Sequence, residues 1–400
     1  MREMPSPQNS FPENTEQALF EKEREFYKKR WEELAAAQAN MFSFKNKSPF
    51  DVMREEADRD DVDFEKRRSK EYEAWQQNLK NVIANFKERA QNPERTEIRT
   101  LMLVLGGGMK CAYSAGQLMA LNAMGLTADK VDTVIGASGG AVVATAYVGG
   151  PEQTQKTAEM MAGPMSTDDF IDFSIDRFRD GTIINLKKLG DTLGDVDGGY
   201  SIDEAAIRKA GTELSYAVTL PTKGDEKPQV VFLNAQDEVE VPSMTEAIKA
   251  SMSLHPRLTG PAGTINGTLY QDGAISPLPI EEIIEKFKPT DVLILPQLPY
   301  EYLSMIKPST GELIGSKLAK LLGFDTVAKG LVSKKELRES LELIQELAGV
   351  NIGVQWPPDS GLSTFTTDSN EFKAAVIGSF RDTLKQWEAD APTEVPFLID

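Results

Sequence analysis

Apolar residues gather into short solid runs in the middle of the chain and into helical stripes on either side of it. Positions 101–105 are all apolar, and the run stops on Gly106, Gly107 and Gly108. A second run, 131–135, stops on Gly136, with Ser138 and then Gly139 and Gly140 just beyond. Short runs bounded by glycines predict buried strands, and the helical pattern between them makes two βα units about thirty residues apart. The helix predicted over 111–124 carries Ala112, Ser114, Ala115 and Gly116 on its first turns, small enough for close approach to a neighbour. The helix predicted over 139–148 is almost wholly apolar and should be buried, with Gly149 at its C-terminal cap. Strands are predicted at 215–220 and 230–234 around the polar turn 221–228. A helix at 245–253, a short strand at 268–271, a helix at 279–287 and a strand at 291–295 follow. The last hundred residues read as mostly helical, most clearly at 334–348 and 371–388.

After a polar, proline-containing start at 1–13, the chain follows the helical period from Asn14, broken by an acidic connector at 51–63. Phe20, Tyr27, Trp31 and Leu34 share one stripe, and Tyr72, Trp75, Leu79, Val82 and Phe86 share another at alternating spacings of three and four. Such stripes predict amphipathic helices packed on each other or on the next domain. The same spacing suits a docking or self-association arm, although about two heptads is short for a coiled coil. Gln91-Asn92-Pro93 marks the boundary. Between 150 and 200, Phe170, Ile171, Phe173, Ile175 and Phe178 bunch among acidic residues, as in a core-facing amphipathic helix or a lipid-facing lid.

Composition changes the picture little: 40% of residues are apolar and 26% charged, as in an ordinary soluble protein large enough for a sizeable core. Charge changes it more. Residues 1–100 carry 19 basic and 21 acidic side chains and the remainder 25 and 41, so the net charge of −18 sits almost wholly in the second part. Nucleic acid is disfavoured as a partner, and so is standing electrostatic attachment to an anionic membrane. With no membrane-length apolar run, no apolar leader at the N-terminus and a single cysteine, the expected setting is cytoplasmic or peripheral to a membrane. Export by a route without a cleaved signal stays compatible.

The glycine clusters carry the chemistry. Gly106-Gly107-Gly108 does not continue as a dinucleotide fingerprint, because Cys111 stands where the third glycine would fall, and Lys110-Cys111 is not the Lys-Ser/Thr pair of a P-loop. Glycines at a helix start offer peptide N–H groups to a developing negative charge. Gly136-Ala137-Ser138-Gly139-Gly140 is a Gly-x-Ser-x-Gly turn from strand to helix, which exposes a serine hydroxyl. The plain alternative is a serine that caps its own helix.

Together with Asp272-Gly273-Ala274, the segments 106–110 and 136–140 resemble the three signatures of the patatin-like phospholipase family, over residues 97–300. The resemblance implies a three-layer α/β/α sandwich on a mostly parallel sheet, preceded here by a helical N-terminal extension. It divides the chain into 1–94, a catalytic core 95–300 and a mostly helical 301–400 packed on that core. It implies Ser138 as nucleophile, Asp272 as its partner and an oxyanion hole from Gly106, Gly107, Gly108 and Met109. Lys110, Gly136, Gly140 and Gly273 occupy supporting motif positions. Cys111 departs from the glycine the family usually has there. The implied substrate is a lipid ester at a membrane or micelle surface, with no metal or organic cofactor. The alternative is an effector or scaffold with little turnover until a protein activator, or a second copy, engages the N-terminal helices.

Histidine narrows the mechanism. The chain has one, His255, and a Ser-His-acid triad would need its acid between Ser138 and His255, where Asp191, Asp195, Asp197, Asp203 and Asp237 are candidates. Only Asp197 is followed by glycine, and 194–199 reads as a polar turn, not a strand end. A carboxylate base, Asp272 at a strand end, is the expectation.

Overall fold

The computed structural model describes residues 62–388 except 173, 175, 178–181, 222–227, 255–257, 260–262, 275–278, 298–299, 301–348, 359–361 and 363–364, and of 62–71 the backbone alone. The stripe at 14–34, His255, Phe173, Ile175, Phe178 and the helix predicted at 334–348 lie outside the described residues.

The two apolar runs become β1 (Thr100–Val104) and β2 (Thr133–Ala137), buried throughout. Between them runs α2 (Cys111–Ala123), and the elbow helix α3 (Gly139–Val148) follows β2 directly. Earlier in the chain lies α1 (Val62–Gln91). After α3 come α4 (Pro151–Ala162), α5 (Leu186–Gly194), α6 (Glu204–Lys209), β3 (Glu213–Leu220), β4 (Gln229–Asn234) and α7 (Met244–Ser251). The hairpin β5 (Thr264–Ile265) and β6 (Thr268–Leu269) precedes β7 (Gln271–Asp272), α8 (Ile280–Phe287) and β8 (Asp291–Leu295). The described chain closes with β9 (Asn351–Val354) and α9 (Ser369–Gln386).

The main sheet has the order β4-β3-β2-β1-β8-β9, with β7 attached to β3. All pairings between β3 and β9 along that order are parallel, and β4 and β7 run antiparallel to β3. Side-chain alternation splits the core. Met102, Val104, Val134, Leu293 and Leu295 face a layer that includes α2, α3, α4 and α9. Leu101, Leu103, Ile135, Val292 and Ile294 face α8 on the other side. This is the mostly parallel sheet with flanking helices that the sequence implied.

The small residues of α2 serve contact with α9: a Cβ on Gly116 would lie 2.2 Å from the Val376 carbonyl oxygen. A buried amide network ties the same elements to β9. Gln117 donates to the Gln355 carbonyl, Gln355 to Thr383 and the Trp387 indole to Gln355.

Two expectations change and one holds. The C-terminal part, read as mostly helical, contributes a strand, β9, that was not expected; four residues with a glycine among them carry too little periodic signal. Gly149 is the C-terminal cap of α3 as expected, in right-handed geometry, and Gly150 takes the left-handed one, φ 102°, to start α4. Phe170 and Ile171 are buried as expected, but in a turn whose Ile171 bridges Ile184, not in a helix.

The second N-terminal stripe packs inside this chain. Leu79, Val82 and Phe86 are buried in the core, and Trp75 stacks edge-on against Trp356 beyond β9. α1 crosses β9 where Gly353 leaves space for Leu79.

Candidate active site

The register of β3 explains how the site is assembled. β2 pairs with β3 as far as Ala137↔Ala217, and the chain then turns away at Ser138. β4 occupies the opposite edge of β3 through this stretch. β7 therefore takes the edge that β2 vacates, pairing Val218↔Asp272 one rung further on. Ser138 and Asp272 become neighbours because one strand ends where the other begins.

Ser138 has φ 53° and ψ −131°, a left-handed backbone that costs a non-glycine residue on the order of 1–3 kcal/mol. The turn is held tight because Gly140 sits against β1, where a Cβ would fall 2.3 Å from the Val104 carbonyl oxygen. The Ser138 N–H donates to Ser251 Oγ at 2.9 Å, and that hydroxyl donates to the Ala217 carbonyl at 2.7 Å. Ser138 Oγ makes no cap to its own helix. It donates to Asp272 Oδ2 at 2.6 Å, with Ser138 7% and Asp272 3% exposed.

Asp272 is fixed from several directions. Its N–H donates to the Ser253 carbonyl, its carbonyl accepts from Thr219 Oγ1, and its Oδ1 accepts the Ala274 N–H at 2.7 Å. Burial pushes its carboxyl up to about 6, against the opposing pull of the Ser138 hydroxyl and the Ala274 N–H.

The glycine loop runs beside this pair. Leu105 leaves β1, Gly108 takes φ 58°, and the Lys110 N–H closes a short 3-10 turn onto the Gly107 carbonyl. Met109 is buried under the loop. Gly106 lies against Ser138, since a Cβ there would stand 2.7 Å from those of Ser138 and Ala274. Cys111 is wholly buried and burial pushes its thiol up to about 12, so it packs and does not react at neutral pH.

The acids that a histidine triad would have recruited do other work. Asp203 caps α6, Asp195 accepts the N–H groups of Asp197 and Gly198, Asp237 accepts those of Val239 and Glu240, and Asp191 pairs with Lys187. Sequence reasoning missed Ser251, Ser253 and Gln297, which touch the site through hydrogen bonds to backbone. Single polar residues in a helix end or a loop give no periodic signal. Among the described residues no group of three or more His, Cys, Asp or Glu is placed to hold a metal ion.

The segment from within β1 to within α8, residues 103–284, matches the family model for the patatin-like phospholipases. Residues 103–284 form a patatin-like phospholipase domain. The Ser138 turn and Asp272 both lie inside it, and it belongs to a family of lipid acyl hydrolases. The chain is also similar to VipD from Legionella pneumophila, whose crystal structure aligns with a TM-score of 0.38 at 15% identity, covering 73% of this chain and 67% of that one. No curated protein matches the chain. Among the described residues of the patatin-like domain and its flanks, no helix is long and apolar enough to cross a membrane.

Ser251→Ala tests the support under the elbow. Removing that hydroxyl strands the buried Ser138 N–H and frees the Ala217 carbonyl, at a cost of about 1–3 kcal/mol. The denaturation midpoint should fall accordingly and kcat should drop about tenfold as Ser138 shifts. Unchanged values of both would show that the elbow does not need this hydroxyl.

Proposed function

We propose that the domain hydrolyses carboxylic esters of lipids, of the phospholipase A or lysophospholipase kind, through a Ser138 acyl-enzyme. The observation that carries this reading is the buried 2.6 Å hydrogen bond from Ser138 to Asp272 at a strained strand-to-helix turn. Ser138 Oγ attacks the ester carbonyl carbon, its proton passes to Asp272 Oδ2, and the carbonyl electron pair moves onto oxygen. The N–H groups around Gly107 and Gly108 hold that oxyanion. Collapse expels the alcohol, which takes the proton from Asp272. Water then repeats the sequence on the acyl-enzyme, releasing the fatty acid and restoring Ser138. A carboxyl pushed up to about 6 is a stronger base than an exposed aspartate and is still ionised at neutral pH. The acidic balance of the chain favours a lipid surface met through local apolar contact over one met through charge.

The deciding assay is hydrolysis of a panel of phospholipids and monoacyl lipids by the wild type beside Ser138→Ala, with fluorophosphonate labelling of both. Turnover and labelling should vanish together in Ser138→Ala; turnover that survives would end this reading.

A pH profile separates the base from His255. Protonation of Asp272 removes the acceptor for the serine proton, so kcat/KM on a soluble p-nitrophenyl ester should fall as pH drops through about 6. His255→Gln should keep both the limb and the rate to within about tenfold. A limb that disappears in His255→Gln would assign it to the histidine.

A further inference from the structure

Gln297 lies two residues beyond β8 and is 2% exposed. The parallel pairing of β1 with β8 runs to Val104↔Leu295, and the Leu105 N–H still donates to the Leu295 carbonyl at 3.1 Å. In a continued parallel ladder the Leu105 carbonyl would next accept the backbone N–H of Gln297. It accepts the Gln297 side chain instead, Nε2 to oxygen at 2.9 Å. The same Nε2 donates to Ser114 Oγ at 2.7 Å, and Ser114 Oγ donates to the Cys111 carbonyl in the first turn of α2.

One amide thus holds both ends of the segment 106–110. Its carbon stem fills the space under the loop as well, since a Cβ on Gly107 would stand 2.5 Å from Gln297 Cβ and 3.0 Å from Cγ. Gln297 Oε1 is buried and has no partner among the described residues. The amide meets the loop only as a donor, and it draws none of the glycine N–H groups toward itself.

We propose that Gln297 is the positioning residue of the oxyanion loop: it replaces a ladder hydrogen bond by a side-chain brace, so that the peptide N–H groups of Gly107 and Gly108 are held toward the reacting carbonyl. The inference rests on the ester-hydrolase reading and adds to it a residue outside the three sequence signatures. Its action is on the transition state, because an N–H aimed at an oxyanion is worth most once the charge has formed.

Gln297→Met keeps the stem and removes both donors. The test compares kcat and KM on the soluble ester with inhibition by an alkyl trifluoromethyl ketone. Ser138 Oγ adds to that ketone's carbonyl carbon, Asp272 takes the serine proton, and the carbonyl electrons form an alkoxide in the oxyanion hole. An alkyl ether of the same length forms no oxyanion and serves as the comparison. In Gln297→Met, kcat should fall about 10- to 100-fold with KM within about threefold, and the ketone's Ki should rise by the same factor while the ether's stays within about threefold. A kcat within threefold of wild type, or a parallel rise for both inhibitors, would overturn the proposal. If Gln297→Met does not fold, Ser114→Ala decides it: about a 3- to 10-fold fall in kcat with the same inhibitor split supports the brace, and no split removes it. Ser138→Ala is run alongside. Full activity there would sink the nucleophile and the brace together, whereas a dead Ser138→Ala beside a fully active Gln297→Met would sink the brace alone.

Discussion

Ser138→Ala and Asp272→Asn should each lose on the order of 10³-fold or more in kcat, and the double variant should be little worse than either single one. The reason is the shared proton: Ser138 donates to Asp272 at 2.6 Å, so in the proposed mechanism neither half performs its step without the other. Steady-state kinetics on a soluble ester reads this without interference from membrane binding. Additive losses, or an Asp272→Asn enzyme within a few-fold of wild type, would break the pairing. The same variant separates activity from stability. An unfolded aspartate titrates near 4, and in the folded protein burial pushes Asp272 up to about 6. The folded state then binds its proton more tightly, so wild-type stability falls as pH rises between those two values. Asparagine has no such titration. The thermal midpoint of Asp272→Asn should therefore gain on wild type between pH 5 and pH 8, by about 1.4 kcal/mol in stability, since about one unit of the titration lies in that window. A dead protein more stable than the live one is the expected sign of a site held against its own folding preference. A variant that loses ground as pH rises would contradict the burial argument.

Gly107→Ala should cost roughly 10²-fold or more in kcat, with the fold retained. Its backbone, φ 173°, is extended and open to any residue, so the penalty comes from space and not from torsion. The added methyl would meet the Gln297 stem at 2.5 Å, and either the loop or the amide must yield. Both movements displace the peptide N–H groups proposed to hold the oxyanion. Gly211→Ala is the control, because a Cβ there meets nothing within 4 Å. Equal kinetics for the two variants would show that the loop tolerates displacement and that the oxyanion is held elsewhere.

The parts legible in the sequence were those where burial and backbone geometry act together. β1, α2, β2 and α3 were visible because solid apolar runs end on glycines that the tight turns need, and β8 was read at its full length. Ser138 and Asp272 stood out by resemblance. Their contact did not, since it depends on β7 taking the β3 edge one rung past the end of β2, a fact of register that no local pattern encodes. β9 escaped notice for want of length. Ser251 and Gln297 escaped because each acts through one hydrogen-bonding group on another residue's backbone, and side-chain chemistry of that sort has no period. The stripe on α1 was legible as apolar, but a helix that wraps its own sheet edge and one that binds a partner show the same spacing.

That helix also sets a timetable for the ribosome. Lys87 of α1 donates to the Trp387 carbonyl across 300 residues of chain, and Leu79 settles over Gly353 of β9. At about 5–20 residues per second the N-terminal helix would wait about 15–60 s for its seat to be translated. Through that interval the apolar face of Trp75, Leu79, Val82 and Phe86 stays uncovered, and once residue 295 has been made the bare edge of β8 is exposed beside it. This edge of the sheet can be closed only after residue 387 has been made.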